Sequence, residues 1–227
     1  LEVESNFLSG KLPSELGLLT RLILLDLGSN AITGTLPTEI GYLKRLQYLN
    51  VGPNLLDGNL PTSLGQMTDL TILGLFENSF SGTIPTELAN VTPLAQFISS
   101  NNQLQGSIPT ELGQLTGLSV LSVENNFLTG TLPTELGQLS RMIYLAVSNN
   151  LLTGTLPTEL VKAAPLQLFQ VSYNSLMGII PSDYVALSSL QIFSADDNHL
   201  TGTLPTELGM WNVLVVLSIR NNSLTGT

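Results

Sequence analysis

Apolar residues return along this chain in a fixed frame. The stretch from Leu22 to Arg45 reads LILLDLGSNAITGTLPTEIGYLKR, and its spacing of apolar and polar positions recurs from end to end as LxxLxLxxNxLxGxLPxELGxLxx. Asparagine stands at Asn6, Asn30, Asn54, Asn78, Asn102, Asn126, Asn150, Asn174, Asn198 and Asn222, ten times at a spacing of 24. Proline holds a second column from Pro13 to Pro205, and glycine a third from Gly10 to Gly226. Columns in one register mark a repeated unit. In Leu25-Asp26-Leu27 the alternation turns Leu25 and Leu27 inward and Leu24 and Asp26 outward, the period of a strand, and Leu49-Asn50-Val51 repeats it. A proline in every unit must sit where no ladder amide is needed, and it can pre-set the first residue of a short helical turn. Thr38-Glu39-Ile40-Gly41 reads as that turn, with the glycine as its exit. The leucines of one unit are too few to form a core, so neighbouring units must complete it.

The pattern resembles the plant-type subclass of the leucine-rich repeat family, in which LxxLxLxxN is followed by LxGx(I/L)P. The resemblance runs over the whole chain, about nine and a half units. It implies an α/β solenoid, a horseshoe or superhelix with a parallel sheet on the concave face and short 3₁₀ or helical turns on the convex face. No linker interrupts the repeat, which predicts a single domain over residues 1–227. The chain opens in mid-strand at Leu1-Glu2-Val3 and stops at Thr225-Gly226-Thr227 with no polar-faced cap at either end. It therefore reads as part of a longer protein.

Composition narrows the functions. The 227 residues are 43% hydrophobic and 11% charged, with 17 acids against 7 bases and a net charge of −10. That balance argues against nucleic acid and against anionic membrane surfaces. Zero Cys and one His leave out thiol nucleophiles, Cys-rich zinc sites and His-assisted triads, so the reading is of a non-enzyme without cofactor. No apolar run of about 18 residues is present to insert into a membrane. Asp196, Asp197, Asn198 and His199 form a polar cluster, but the calcium-loop spacings are missing and it reads as a solvated acidic edge.

The asparagine column reads as a structural ladder, each amide bonded to backbone groups of its own turn and the adjacent coil. A second column, Glu15, Glu39, Ser63, Glu87, Glu111, Glu135, Glu159, Asp183 and Glu207, is acidic in eight of nine units. An acid there suits the exposed amides of a helical first turn.

Recognition is expected on the outward strand positions. One column carries Leu24, Tyr48, Ile72, Tyr144, Leu168 and Ile192, with Phe76 and Tyr173 further along their coils. Apolar and aromatic residues beside small polar ones suit a peptide, protein or glycan partner with aromatic anchors. The unit from Val161 to Tyr184 breaks the frame, with Val161 for Gly, Met177 and Ile179 for Thr, and Tyr184 for Leu. Met177 and Ile179 flank Gly178 and should form a lateral contact pair. Thr-Gly-Thr at 33–35, 129–131, 153–155, 201–203 and 225–227 raises an alternative, an ice- or mineral-binding array. Resembling proteins also include inhibitors of secreted hydrolases. Two sequons, at Asn90 and Asn221, mark candidate glycosylation sites. The resemblance implies an extracellular location, as a secreted protein or a receptor ectodomain.

Overall fold

The computed structural model describes residues 1–226. Each 24-residue coil contributes one strand to a nine-stranded, wholly parallel sheet that begins at Leu24–Asp26 and ends at Val216–Ser218. Its register follows the repeat, so that Leu24, Tyr48 and Ile72 are successive partners and Leu25, Leu49 and Leu73 run beneath them. A side chain that faces the core in one strand thus lands on its equivalent in the next. Leu25, Leu49, Leu73, Phe97, Leu121, Leu145, Phe169 and Phe193 are all fully buried. Leu217, in the same column but with a coil on one side only, is 38% exposed, which shows that burial comes from neighbours and not from the coil itself.

One member of the adjoining core column departs from this chemistry. Ser99 stands where Leu75 and Val123 stand in the flanking coils, fully buried, and among the described residues its Oγ alone is a buried side-chain polar atom without a hydrogen-bond partner. Desolvating a hydroxyl without a partner costs about 1–3 kcal/mol. Ser99→Val removes the stranded atom and adds apolar contact. We expect it to stabilise the array by about 1–2 kcal/mol, read as a higher urea midpoint at unchanged m-value. A lowered midpoint would show that the site has no room for the extra methyl.

The opposite side of the coils is made of nine 3₁₀ turns of five residues each among the described residues, Thr38–Tyr42 for example. Proline precedes each turn, where the sequence reading put it at the first helical residue. Pro37 keeps extended dihedrals, φ −67° and ψ 144°, and its carbonyl accepts the first turn hydrogen bond, from the Ile40 amide at 3.1 Å. The missing N–H therefore falls where the chain needs none, and the carbonyl remains in use. Nor is the glycine of this turn an exit. Gly41 lies inside the turn, and a Cβ there would clash with the Ser63 carbonyl oxygen of the next coil. A Cβ at Gly137 would meet the Glu159 carbonyl oxygen in the same way. The column is glycine because adjacent turns touch through it, and where Val161 and Val185 replace it the turns pack less closely.

Between sheet and turns runs a second, lateral set of parallel strands, including Ala31–Thr35 and Leu55–Asn59. Here the register is staggered. Thr33 pairs with Leu55 and Thr35 with Asp57, two positions short of the repeat. The asparagines link the two sheets. Asn54 is buried, its Nδ2 donates to the carbonyls of Val51 and of Leu27 in the preceding coil, and its Oδ1 accepts from the Ile32 amide of that coil. Except at Pro53, the residue before the asparagine takes a left-handed conformation, at Ser5, Ser29, Glu77, Asn101, Asn125, Asn149, Tyr173, Asp197 and Asn221, a region that Asn and Asp tolerate best.

Candidate recognition surface

The nine-stranded sheet buries one face and leaves the other open. On the open face Leu24, Tyr48, Ile72, Tyr144, Leu168 and Ile192 are half-buried and lie in one line across the strands, because the register carries the column straight from coil to coil. Phe76 is also half-buried, in the loop two residues past its strand. Tyr173 stands apart. It lies in the turn before Asn174, 53% exposed, at a φ of 55° that a tyrosine adopts at a cost.

Polar groups are held firmly beside this line. Asp26 accepts hydrogen bonds from the Gly28 amide at 2.9 Å, from Asn50 Nδ2 at 2.9 Å and from Tyr48 Oη at 3.2 Å. Partial burial raises the Tyr48 phenol above its ordinary value, and the neighbouring Asp26 charge adds to the shift. Tyr144 is raised in the same sense, by burial first and by the Glu124 carboxylate second. Glu124 itself accepts from Ser122 Oγ at 2.8 Å.

Asp196 overturns the expectation of a solvated acidic edge. It is buried, and it receives Ser218 Oγ at 2.7 and 2.8 Å, the Arg220 amide at 2.6 Å and the Arg220 guanidinium at 3.2 Å. Burial works to raise its pKa, and the hydrogen bonds from Arg220 and Ser218 outweigh that, holding the carboxyl below its usual value. The pairing is hard to see in sequence because Asp196 and Arg220 sit one repeat apart in a column that otherwise mixes Gly, Ser, Phe and Glu. His199 is exposed and stands apart from this network, and no group of three or more His, Asp or Glu able to hold a metal occurs among the described residues.

Met177 lies in the lateral strand Met177–Gly178 and Ile179 directly follows it, 50% and 60% exposed. The threonine columns lie on the same side, where the stagger sets the second threonine of one coil against the first position of the next, and other residues interrupt the rank. Thr131 bridges to Thr153, whereas Thr83 bridges to Gln105 and Thr155 to Met177. Thr227, the last member of those columns, lies outside the described residues. Between this sheet and the 3₁₀ turns runs a shallow groove, lined by Thr83, Ser107, Thr131, Thr134, Glu111 and Glu135 among others. Sequence reading missed it, since its wall combines two columns that looked unrelated. Of the sequons, Asn90 is exposed at the end of a turn, and Asn221 is exposed with its amide donated to Asp197 Oδ1 at 2.9 Å. No helix among the described residues is long and apolar enough to cross a membrane.

A family model described as Leucine Rich Repeat matches residues 21–43 and 117–139. Among solved structures, a TDR receptor is 31% identical with a TM-score of 0.96, covering 98% of this chain and 39% of its own. The ectodomain of the Arabidopsis receptor kinase HAESA, in complex with an extended IDA peptide hormone, is 31% identical with a TM-score of 0.92, covering 98% of this chain and 38% of its own. A plant ice-binding protein is 26% identical with a TM-score of 0.84, covering all of this chain and 73% of its own. The chain thus spans about two fifths of the receptor structures it matches. No curated protein matches it. The unbroken 24-residue frame, the two parallel sheets joined by asparagines and these likenesses make the chain a member of the leucine-rich repeat family, of the plant type.

Proposed function

We propose that the chain is a non-catalytic recognition module that binds a polypeptide on the open face of its nine-stranded sheet, outside the cell. The observation that carries this is the apolar line from Leu24 to Ile192, interrupted at Gln96 and with Tyr48 and Tyr144 in it, on a sheet whose backbone is fixed by every neighbouring coil. A rigid surface loses little freedom on binding, and half-buried aromatic residues in an apolar patch make good anchors. The likeness to HAESA bound to IDA and to the receptor RGFR1 bound to RGF2 supports a peptide or protein over a small molecule.

The double variant Tyr48→Ala, Tyr144→Ala tests the reading. Neither ring is in the core, so the thermal midpoint should stay close to that of the wild type. Affinity for a polypeptide captured by the wild-type chain should fall about a hundredfold, the size expected for two anchors. Equal affinity of the two proteins would remove the open face as the site.

A second reading, adsorption to ice through the lateral sheet, is favoured by the likeness to the plant ice-binding protein. The interruptions count against it, because Thr131 faces Thr153 but Thr35 faces Asp57, Thr83 faces Gln105 and Thr155 faces Met177, so no continuous threonine rank forms across the strands. Thermal hysteresis of the purified chain measures it directly.

A further inference from the structure

The open face also carries information about the charge of its partner. Its acids include Asp26, Glu124 and Asp196, and Arg220 is the base in the same columns. Arg220 is already taken, since it pairs with Asp196 in the one ion pair among the described residues. Asp26 and Glu124 have no cationic partner among those residues, and each stands beside an aromatic ring of the apolar line. Tyr48 donates its hydroxyl to Asp26. Tyr144 pairs with Val120, and Ser122, on the same face of that strand, donates its hydroxyl to Glu124 at 2.8 Å, which holds the carboxylate on the Tyr144 side of the line. An aromatic ring with a carboxylate next to it attracts an ammonium or guanidinium twice, through the ring quadrupole and through the charge.

The two pairs are set at a defined spacing. From Tyr48 the register runs through Ile72, Gln96 and Val120 to Tyr144. Four strand spacings of about 4.8 Å make about 19 Å, which an extended peptide covers in about six residues at about 3.3 Å each. Between the pairs, Ile72 and Val120 offer apolar contact and Gln96 offers hydrogen bonds.

We propose that Tyr48 with Asp26, and Tyr144 with Glu124, are two cation-receiving subsites for one extended peptide segment that crosses the strands with basic residues about six positions apart. This rests on the reading that the open face binds a polypeptide, and it adds the charge and spacing of the bound segment. Lys or Arg occupies each subsite, and apolar side chains between them lie on Ile72 and Val120.

Selection of a displayed library of random 12-residue peptides on the immobilised chain tests it. The expected result is enrichment of sequences with two basic residues about six apart. As synthetic peptides these should bind about tenfold more weakly to Asp26→Asn and to Glu124→Gln, and should lose affinity when the spacing is cut to two. Neutral or acidic peptides that still need Tyr48 and Tyr144 would overturn the charge assignment and leave open-face recognition standing. Basic peptides that bind equally at any spacing and are released by 0.5 M salt would overturn the paired subsites. No enrichment, or enrichment unaffected by the Tyr48→Ala, Tyr144→Ala variant, would end both readings.

Discussion

Replacing Asn126 with Leu should lower the stability of the chain by about 3 kcal/mol, the upper end of what stranding buried polar groups costs. Asn126 is 6% exposed. Its Nδ2 donates to the carbonyls of Ser99, Val123 and Glu124 at 3.0, 3.1 and 3.2 Å, and its Oδ1 accepts from the Leu104 amide at 2.9 Å. Two of those partners, Ser99 and Leu104, belong to the preceding coil. Leucine has similar bulk but neither donor nor acceptor, so the Leu104 amide is left buried and unpaired and the coil interface is weakened at its centre. Position in the array should set the size of the effect. Asn6 is exposed, and its amide donates only to the Val3 and Glu4 carbonyls of its own coil, at 3.1 and 3.0 Å. Asn6→Leu should therefore cost less than about 1 kcal/mol, because water can replace what the side chain gave up. Urea unfolding of both variants checks the pair of values. Equal, small losses would mean that the column has no part in holding coils together.

The asparagine ladder was readable because its cause is local and periodic. A small amide between apolar positions has few other uses, and the same spacing that reveals it also builds it. The nine-stranded sheet was readable for the same reason, since its register equals the repeat and each sequence column is a spatial column. The lateral sheet shows where this fails. Its strands pair two residues off the repeat, so Thr35 faces Asp57 and Thr155 faces Met177, and no column drawn through the sequence shows those neighbours. The glycine of the 3₁₀ turn misled in another way. Read along the chain it looked like a helix stop, whereas its reason lies across the coil boundary, in the carbonyl oxygen that leaves no space for a Cβ. Asp196 and Arg220 belong with these cases, because a pair that occurs once cannot be found by its period. On the candidate surface the line from Leu24 to Ile192 was legible in sequence, while the partnering of Tyr48 with Asp26 and of Tyr144 with Glu124 required the strands to be set side by side.

Tyr184 is the clearest case of a departure whose meaning lies in packing, and its removal should cost about 4 kcal/mol. In sequence it is one of several breaks in the unit from Val161 to Tyr184, the others being the half-buried Val161 and the exposed Met177 and Ile179. In the fold it is fully buried, in a small aromatic core. Its ring meets Phe169 and Phe193 edge-on at 6.1 and 6.3 Å, those two stack on each other at 5.5 Å, and Trp211 meets Phe193 at 6.1 Å. The polar atoms are served as well. Tyr184 Oη donates to the Pro157 carbonyl at 3.0 Å, and the Trp211 indole donates to the Tyr184 carbonyl at 2.9 Å. Burial pushes the phenol far above its ordinary pKa, with Glu159 adding to the shift, so the hydroxyl stays a donor at any ordinary pH. The aromatic group coincides with the coils where Val161 and Val185 hold the turns apart, which is consistent with bulk in the core compensating for looser contact outside it. Two substitutions separate ring from hydroxyl. Tyr184→Phe keeps the ring and strands the Pro157 carbonyl, and should cost about 1–2 kcal/mol. Tyr184→Ala removes both and leaves a cavity that Phe169 and Phe193 cannot fill, at about 4 kcal/mol. A loss below about 1 kcal/mol for the alanine variant, by urea unfolding, would mean that neighbouring coils close over the space, and that the aromatic group is not needed to join them.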